Sequence, residues 1–212
     1  MKRFSLQFAI ALITFLIGVG FAAFWLLTRP LPEIDLPQNP PECAAELDAK
    51  IDSVDLQVEW RAMLLERFRE IPLKELPANV DESYRLIWIP TFDDPTIIRI
   101  WRSGENYFIV TKRLNRNKNN LEIGKLKFEK THSITAEEWQ SFVSLLQQRC
   151  YWVVPSKIEE PIVMDGASWT LEGISNGKYH LVYRTLPSAQ MSGIFRELFK
   201  LTGVEMEHER YL

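Results

Sequence analysis

The chain has 212 residues, 46% of them hydrophobic, with 25 basic residues against 28 acidic ones. That is enough apolar material for one packed domain plus an appendage, and it excludes a chain disordered throughout. Three of the basic residues, Lys2, Arg3 and Arg29, bracket the first apolar run, which leaves 22 basic against 28 acidic in the remainder and excludes a general nucleic-acid binder with a basic face.

Residues 4–27 are 24 uncharged positions interrupted by the polar Ser5, Gln7 and Thr14. As a helix they cross a hydrocarbon layer of about 30 Å. A cleaved signal peptide is the rival, with Gly20 and Ala22 before a cleavage point. However, the run continues through Phe24, Trp25, Leu26 and Leu27, beyond the roughly 7–15 apolar residues of a signal peptide. The expectation is an uncleaved signal-anchor: one transmembrane helix, with the lipid bilayer as its partner through residues 4–27. Lys2 and Arg3 keep the N-terminus cytoplasmic and send the remainder to the periplasm or outside the cell. The chain then divides into a cytoplasmic stub and anchor over 1–28, a linker over 29–42 and an extracytoplasmic α+β domain over 43–212.

Pro30, Pro32, Pro37, Pro40 and Pro41 make the linker a stiff, extended spacer. Residues 44–71 are rich in helix formers, with Val54, Trp60, Met63, Leu64, Phe68 and Ile71 at apolar positions that follow helical spacing from about Leu56. Four β-rich runs follow at 84–89, 96–102, 107–114 and 121–130, separated by short polar turns, and predict an antiparallel meander. A turn centred on Asp93 and Asp94 places Trp88 opposite Arg99. One face then carries Ile87, Ile89, Ile98 and Ile100, the other Leu86, Trp88, Ile97, Arg99 and Trp101. Both faces are apolar, so helices cover both or one of them binds something.

The segment 133–150 has the strongest helix signature, a capping box of Thr135 with Glu138 and a staple of Ile134 with Trp139. Its stripe is Trp139, Phe142, Val143, Leu146 and Cys150. A last helix carries Ile194, Phe195, Leu198, Phe199 and Leu201 and stops at Gly203. Before it, Asn176-Gly177 between alternating strands predicts a type I′ hairpin, because that turn needs φ > 0 at both positions. The register follows: Glu172 faces Leu181, Gly173 faces His180 and Trp169 faces Arg184. Glu172 shares a face with Ile174, Tyr179, Leu181 and Tyr183, and His180 lies on the other with Leu171 and Arg184.

Asp165, Glu172 and His180 are the catalytic candidates, by their density in one short segment. A Glu172–His180 dyad across opposite faces requires a bulge or another register. Glu172 among apolar neighbours must find donors, which Tyr179, Tyr183, a backbone amide or an Arg of the meander supplies. Gly173 beside His180 either leaves room for a ligand or admits a neighbouring ring. Asp165-Gly166 reads otherwise as a turn. The binding candidates are Trp88, Arg99, Trp101 and Arg184, with Arg184 over Trp169 and Arg99 over Trp88 as cation–π pairs. Lys112, Arg113, Arg116 and Lys118 cluster at one hairpin tip. His132, His180 and His208 have no metal-ligand spacing, and no phosphate-binding or nucleophile-elbow motif is present, so neither metal nor cofactor is expected. Cys43 and Cys150 have two readings: a bridge closing about 100 residues and worth on the order of 4–5 kcal/mol, or buried thiols on helices.

The residues Tyr84, Arg85, Trp88, Thr91, Phe92, Pro95 and Arg99, then Trp152 and Pro155, lead into Asp165, Gly166, Ala167, Trp169, Glu172, Gly173, Gly177, Tyr179, His180 and Arg184. Over about residues 83–187 the chain resembles a family of uncharacterised bacterial proteins, often membrane-anchored or exported, that share the pattern D-G-A-x-W-x-x-E-G-x-x-x-G-x-Y-H. The resemblance implies an architecture and a candidate surface without a reaction. Similar chains carry basic residues or His before the proline of the first turn, where this one has Asp93 and Asp94. The functional expectation is a non-catalytic interaction module of the bacterial envelope that binds a protein or cell-wall component. The alternative is an envelope hydrolase or transferase using Asp165, Glu172 and His180.

Overall fold

The computed structural model describes residues 58–161 and 165–204. The apolar run at 4–27, the Pro-rich linker and Cys43 lie outside them. Among the described residues no helix is long and apolar enough to cross a membrane. In chain order the elements are α1 (Val58–Arg67), a 3₁₀ turn (Leu73–Glu75), β1 (Glu82–Pro90), β2 (Thr96–Ser103), β3 (Asn106–Arg116), β4 (Ile123–Ser133), α2 (Ala136–Gln148), β5 (Ala167–Ser175), β6 (Lys178–Arg184) and α3 (Ala189–Thr202). All six strands form one antiparallel sheet in the order β4-β3-β2-β1-β5-β6. The fold is α+β, with the meander extended at β1 by the C-terminal hairpin.

Local chemistry accounts for the element ends. The Glu138 amide donates to Thr135 Oγ1 at 3.1 Å and the Thr135 amide to Glu138 Oε2 at 2.8 Å, the reciprocal capping box that starts α2. At its other end the Tyr151 amide reaches the Leu146 carbonyl and the Cys150 amide the Gln147 carbonyl, both at 3.0 Å, with Cys150 at φ 56°. This is a Schellman ending with a cysteine where glycine is favoured. α1 ends the same way: Arg69 sits at φ 54°, and the Glu70 amide bonds the Leu65 carbonyl at 2.8 Å. That reversal turns Glu70 back toward the sheet.

Asn176 at φ 49° and Gly177 at φ 73° make the expected turn, and the β5–β6 register is the one the turn implies, Glu172 against Leu181 and Gly173 against His180. The first hairpin differs. Leu86 pairs with Ile98 and Arg85 with Arg99, while Trp88 opposes Thr96. The turn is not a tight one on Asp93-Asp94. Asp94 Oδ1 accepts the Arg116 amide at 2.9 Å, Arg116 Nε donates to the Asp93 carbonyl at 2.9 Å, and Lys127 pairs with Asp94, so the loop is spread toward β3 and β4. A slip by an odd number of residues reverses the faces. Leu86, Trp88, Ile98 and Ile100 therefore share the face covered by α2 and α3, the main core, where Trp169 stacks on Phe195 at 4.8 Å. Arg85, Ile87, Ile97 and Arg99 share the other, where Leu64, Leu65 and Phe68 close a smaller core over Ile87, Ile97 and Leu114. Helices thus cover both apolar faces.

Candidate functional site

The face beneath α1 holds a buried ion network centred on two carboxylates. Glu172, fully buried, accepts Arg85 Nε at 3.0 Å and Nη2 at 2.8 Å on Oε1, and Arg61 Nη2 and the Tyr179 hydroxyl, each at 3.0 Å, on Oε2. β5 lies directly against β1, with Glu172 opposite Arg85, so strand pairing delivers the acid to the guanidinium. Glu70, aimed inward by the end of α1, accepts Arg99 Nε at 2.8 Å, lies 2.8 Å from Lys112 Nζ and 3.4 Å from Arg85 Nη1. Burial alone pushes the Glu70 carboxyl up, but Arg99 and Lys112 outweigh it and hold it below its ordinary value. Tyr179 is pushed well up, by burial first and then by the Glu172 charge. Arg85 also donates to the Ile71 carbonyl at 2.7 Å. Every oxygen of Glu172 is engaged, which is the pattern of a satisfied buried acid rather than of a proton-transfer group awaiting substrate.

His180 projects from the opposite face. Its Nε2 lies 3.1 Å from the Val154 carbonyl and its ring packs edge-on against Tyr151, with centroids 5.2 Å apart. Burial, and then the nearby charges of Lys178 and Arg184, lower its pKa from the ordinary 6.5. Gly173 leaves no ligand space. A Cβ there would lie 2.6 Å from Tyr84 Cδ1 and 3.0 Å from the Tyr151 hydroxyl, so the glycine admits the Tyr84 ring. Asp165 is exposed in a turn, and the carbonyl of Gly166 beside it accepts the Thr91 amide at 3.0 Å and hydroxyl at 2.8 Å. The three catalytic candidates are therefore not brought together.

Of the binding candidates, Trp88 is 5% exposed and stacks on Trp169, with centroids 5.4 Å apart. Arg184 is fully buried and donates to the carbonyls of Tyr183, Pro155 and Ser156, which ties the segment after α2 to β6. Both are scaffold, because neither offers surface. Arg99 lies over Trp101, 4.4 Å from the ring centroid, and not over Trp88. That follows from the register, which puts Trp88 on the far face. The basic cluster is dispersed: Lys112 is buried on Glu70, Arg113 stands over Phe128, and Arg116 holds the Asp93 carbonyl. Cys150 is disulfide-bonded; the chain's other cysteine, Cys43, lies outside the described residues. Among the described residues no group of three metal-ligating side chains is placed to hold an ion.

Open surface chemistry lies elsewhere, along α1. A groove of about 670 Å³ runs between Trp60 and Met63 of α1, Ile89 to Thr91 at the end of β1, and the β3–β4 tip from Asn120 to Ile123. Trp60 is 41% exposed, Leu121 38% and Phe92, next to Thr91, 42%. Leu121 holds φ 58°, where a side chain clashes with its own backbone. Its amide donates to the Asn117 carbonyl and its carbonyl accepts from Arg116, so the tip is braced in that conformation. A second, deeper cavity of about 100 Å³ adjoins the groove, with Trp60 and Ile89 common to both. The sequence marks α1 as amphipathic but gives no sign that Trp60 faces outward or that Leu121 stands beside it. No protein-family model matches the chain, and no curated protein matches it.

Proposed function

We propose that the chain is a membrane-anchored binding module of the bacterial envelope, of the kind the family resemblance suggests, and that it engages a protein partner through the groove along α1. The observation that carries this reading is the groove rimmed by exposed Trp60 and Leu121, the latter held at φ 58°. Backbone strain that keeps an apolar side chain in solvent costs stability, and such strain concentrates at functional sites. The uncharged run at 4–27 supports the anchor, and the bridged Cys150 supports an oxidising compartment. The alternative hydrolase or transferase gains nothing from the geometry, with Glu172 fully engaged and His180 across the sheet.

The test places a photo-crosslinking residue at position 121 of the full chain in intact cells, with position 140 on the outer side of α2 as control. The expected result is one specific protein captured at 121 and not at 140, lost in Trp60→Ala. Leu121→Gly, with the crosslinking residue moved to the neighbouring groove position 122, should also lose capture while leaving the fold as stable as wild type or more so, because glycine relieves the backbone. The same neighbours at both positions, or none at 121, overturn the proposal.

A further inference from the structure

The deeper cavity lies between α1 and the sheet, where β1, β5 and β6 run side by side, and strand pairing sets its lining. Thr170 stands opposite Ile87 of β1 and Tyr183 of β6, and Ser168, two residues earlier on β5, stands opposite Ile89. Alternation puts all of these on the face under α1, where Leu64 and Leu181 complete an apolar wall. Ser168 and Thr170 are short where a longer apolar side chain would close the space, so β5 and α1 do not pack tightly there.

None of the hydroxyls of Ser168, Thr170 and Tyr183 has a hydrogen-bond partner among the described residues, and none is sealed from the surface. Half-buried polar groups need a partner, and a hydroxyl both donates and accepts. Three reachable hydroxyls in the lining of one cavity therefore suit a ligand that carries several groups of the same kind. The cavity presents no free charge to hold an ion. Arg61 is held by Glu172 and Tyr179, and Lys157 is engaged. Burial and then the Glu160 charge raise the Tyr183 pKa, against a smaller lowering by Lys157, so the phenol stays neutral. An ion entering would lose hydration without an unpaired counter-charge, which selects an uncharged ligand.

Size and shape narrow the class further. An engineered cavity of about 150 Å³ admits benzene, so one of about 100 Å³ admits an edge of a six-membered ring and not the whole ring. The rest of the ring then lies where cavity and groove share Trp60, which is 41% exposed. A pyranose has matching surfaces, C–H groups on its flat side and hydroxyls around its edge. We propose that this cavity receives one edge of an uncharged pyranose sugar, its hydroxyls paired with Ser168, Thr170 and Tyr183 and its C–H face resting on Trp60. This goes beyond the protein partner assigned to the groove and does not depend on it. The sugar is a free monosaccharide or the end unit of a longer glycan, two sources of one chemistry.

The experiment is calorimetric titration of the full chain in dodecylphosphocholine micelles, which carry no sugar headgroup. The probes are methyl β-glucopyranoside, N-acetylglucosamine, the tetramer of N-acetylglucosamine and cyclohexanol, a ring with a single hydroxyl. The expected result is saturable binding of a sugar, with cyclohexanol at least tenfold weaker. A tetramer at least tenfold tighter than both monosaccharides assigns the site to a glycan end, and a smaller difference assigns it to a free sugar. Ser168→Ala and Thr170→Val remove hydroxyls that no protein group uses, so each should weaken binding several-fold and the pair at least tenfold. The double variant should melt no lower than wild type, which hydroxyls with a structural role would not allow. No saturable binding of any sugar, cyclohexanol within tenfold of the best sugar, or a double variant that keeps full affinity or melts lower overturns the inference. None of these outcomes bears on capture at position 121, so the two proposals fail separately.

Discussion

Replacing Glu172 by Gln removes one charge from the centre of the network while preserving shape. In the native protein Arg85 has two contacts to Glu172, at 3.0 and 2.8 Å, and its next carboxylate is Glu70 at 3.4 Å. The amide can still accept from Arg85 on its oxygen. Its NH₂ group, however, faces Arg61 Nη2, a donor that can offer nothing in return, in place of the oxygen that accepted at 3.0 Å. Breaking a fully buried pair by neutralising one partner costs about 3–5 kcal/mol. The low end applies here, because Glu70 and the Ile71 carbonyl still hold Arg85. For a domain of this size about 3 kcal/mol lowers the melting temperature by roughly 6–12 °C. His180→Ala loses one neutral hydrogen bond to Val154 and the ring packing on Tyr151, about 1–3 kcal/mol. Urea unfolding of the full chain, followed by tryptophan fluorescence, should therefore rank wild type above His180→Ala and His180→Ala above Glu172→Gln. Variants as stable as wild type, or more so, would refute the assignment of this motif to the scaffold, because groups held at a cost to stability belong to functional sites.

Gly173→Ala should lose about 1–3 kcal/mol by the same assay, because its Cβ meets the Tyr84 ring at 2.6 Å; a neutral effect means that the ring has another place to go. Stability should fall on acidification in two windows. His180 has a folded pKa below 6.5, so the unfolded chain takes up its proton first and stability is lost as pH drops from about 6.5 through the folded value. Glu70 is likewise depressed, and its contribution is lost as pH falls from about 4.5. His180→Gln should flatten the upper window and leave the lower one, and an unchanged profile in that variant rules out His180 as the cause. Reduction of the Cys150 disulfide should cost on the order of 4–5 kcal/mol, by the loop-closure entropy of the roughly 100 residues back to the chain's other cysteine, Cys43. Mass spectrometry of a non-reduced digest checks this directly, and two free thiols would exclude the bridge.

Local rules sufficed wherever the deciding interaction spans a few residues. Asn176-Gly177 set the register of β5 and β6 through its own backbone preference, and hence placed Glu172 and His180 on opposite faces. Thr135 and Glu138 located the start of α2 in the same way. The β1–β2 register was beyond their reach, because Asp93 and Asp94 are held by Arg116 and Lys127 from strands more than twenty residues on, and this widens the loop. One misplaced turn exchanged the faces of β2 relative to β1, so Trp88, expected beside Arg99 and Trp101, lies instead in the main core with Ile98 and Ile100. Glu70 had no local signature at all; a left-handed Arg69 turns it inward, and its three cations come from β1, β2 and β3. The composition and periodicity of the chain determined its strands, its helices and one hairpin. Which acid meets which cation, and which tryptophan remains in solvent, was decided only by the pairing of β5 on β1 and the seating of α1, because those contacts join residues far apart in the chain whose mutual energy no local pattern encodes.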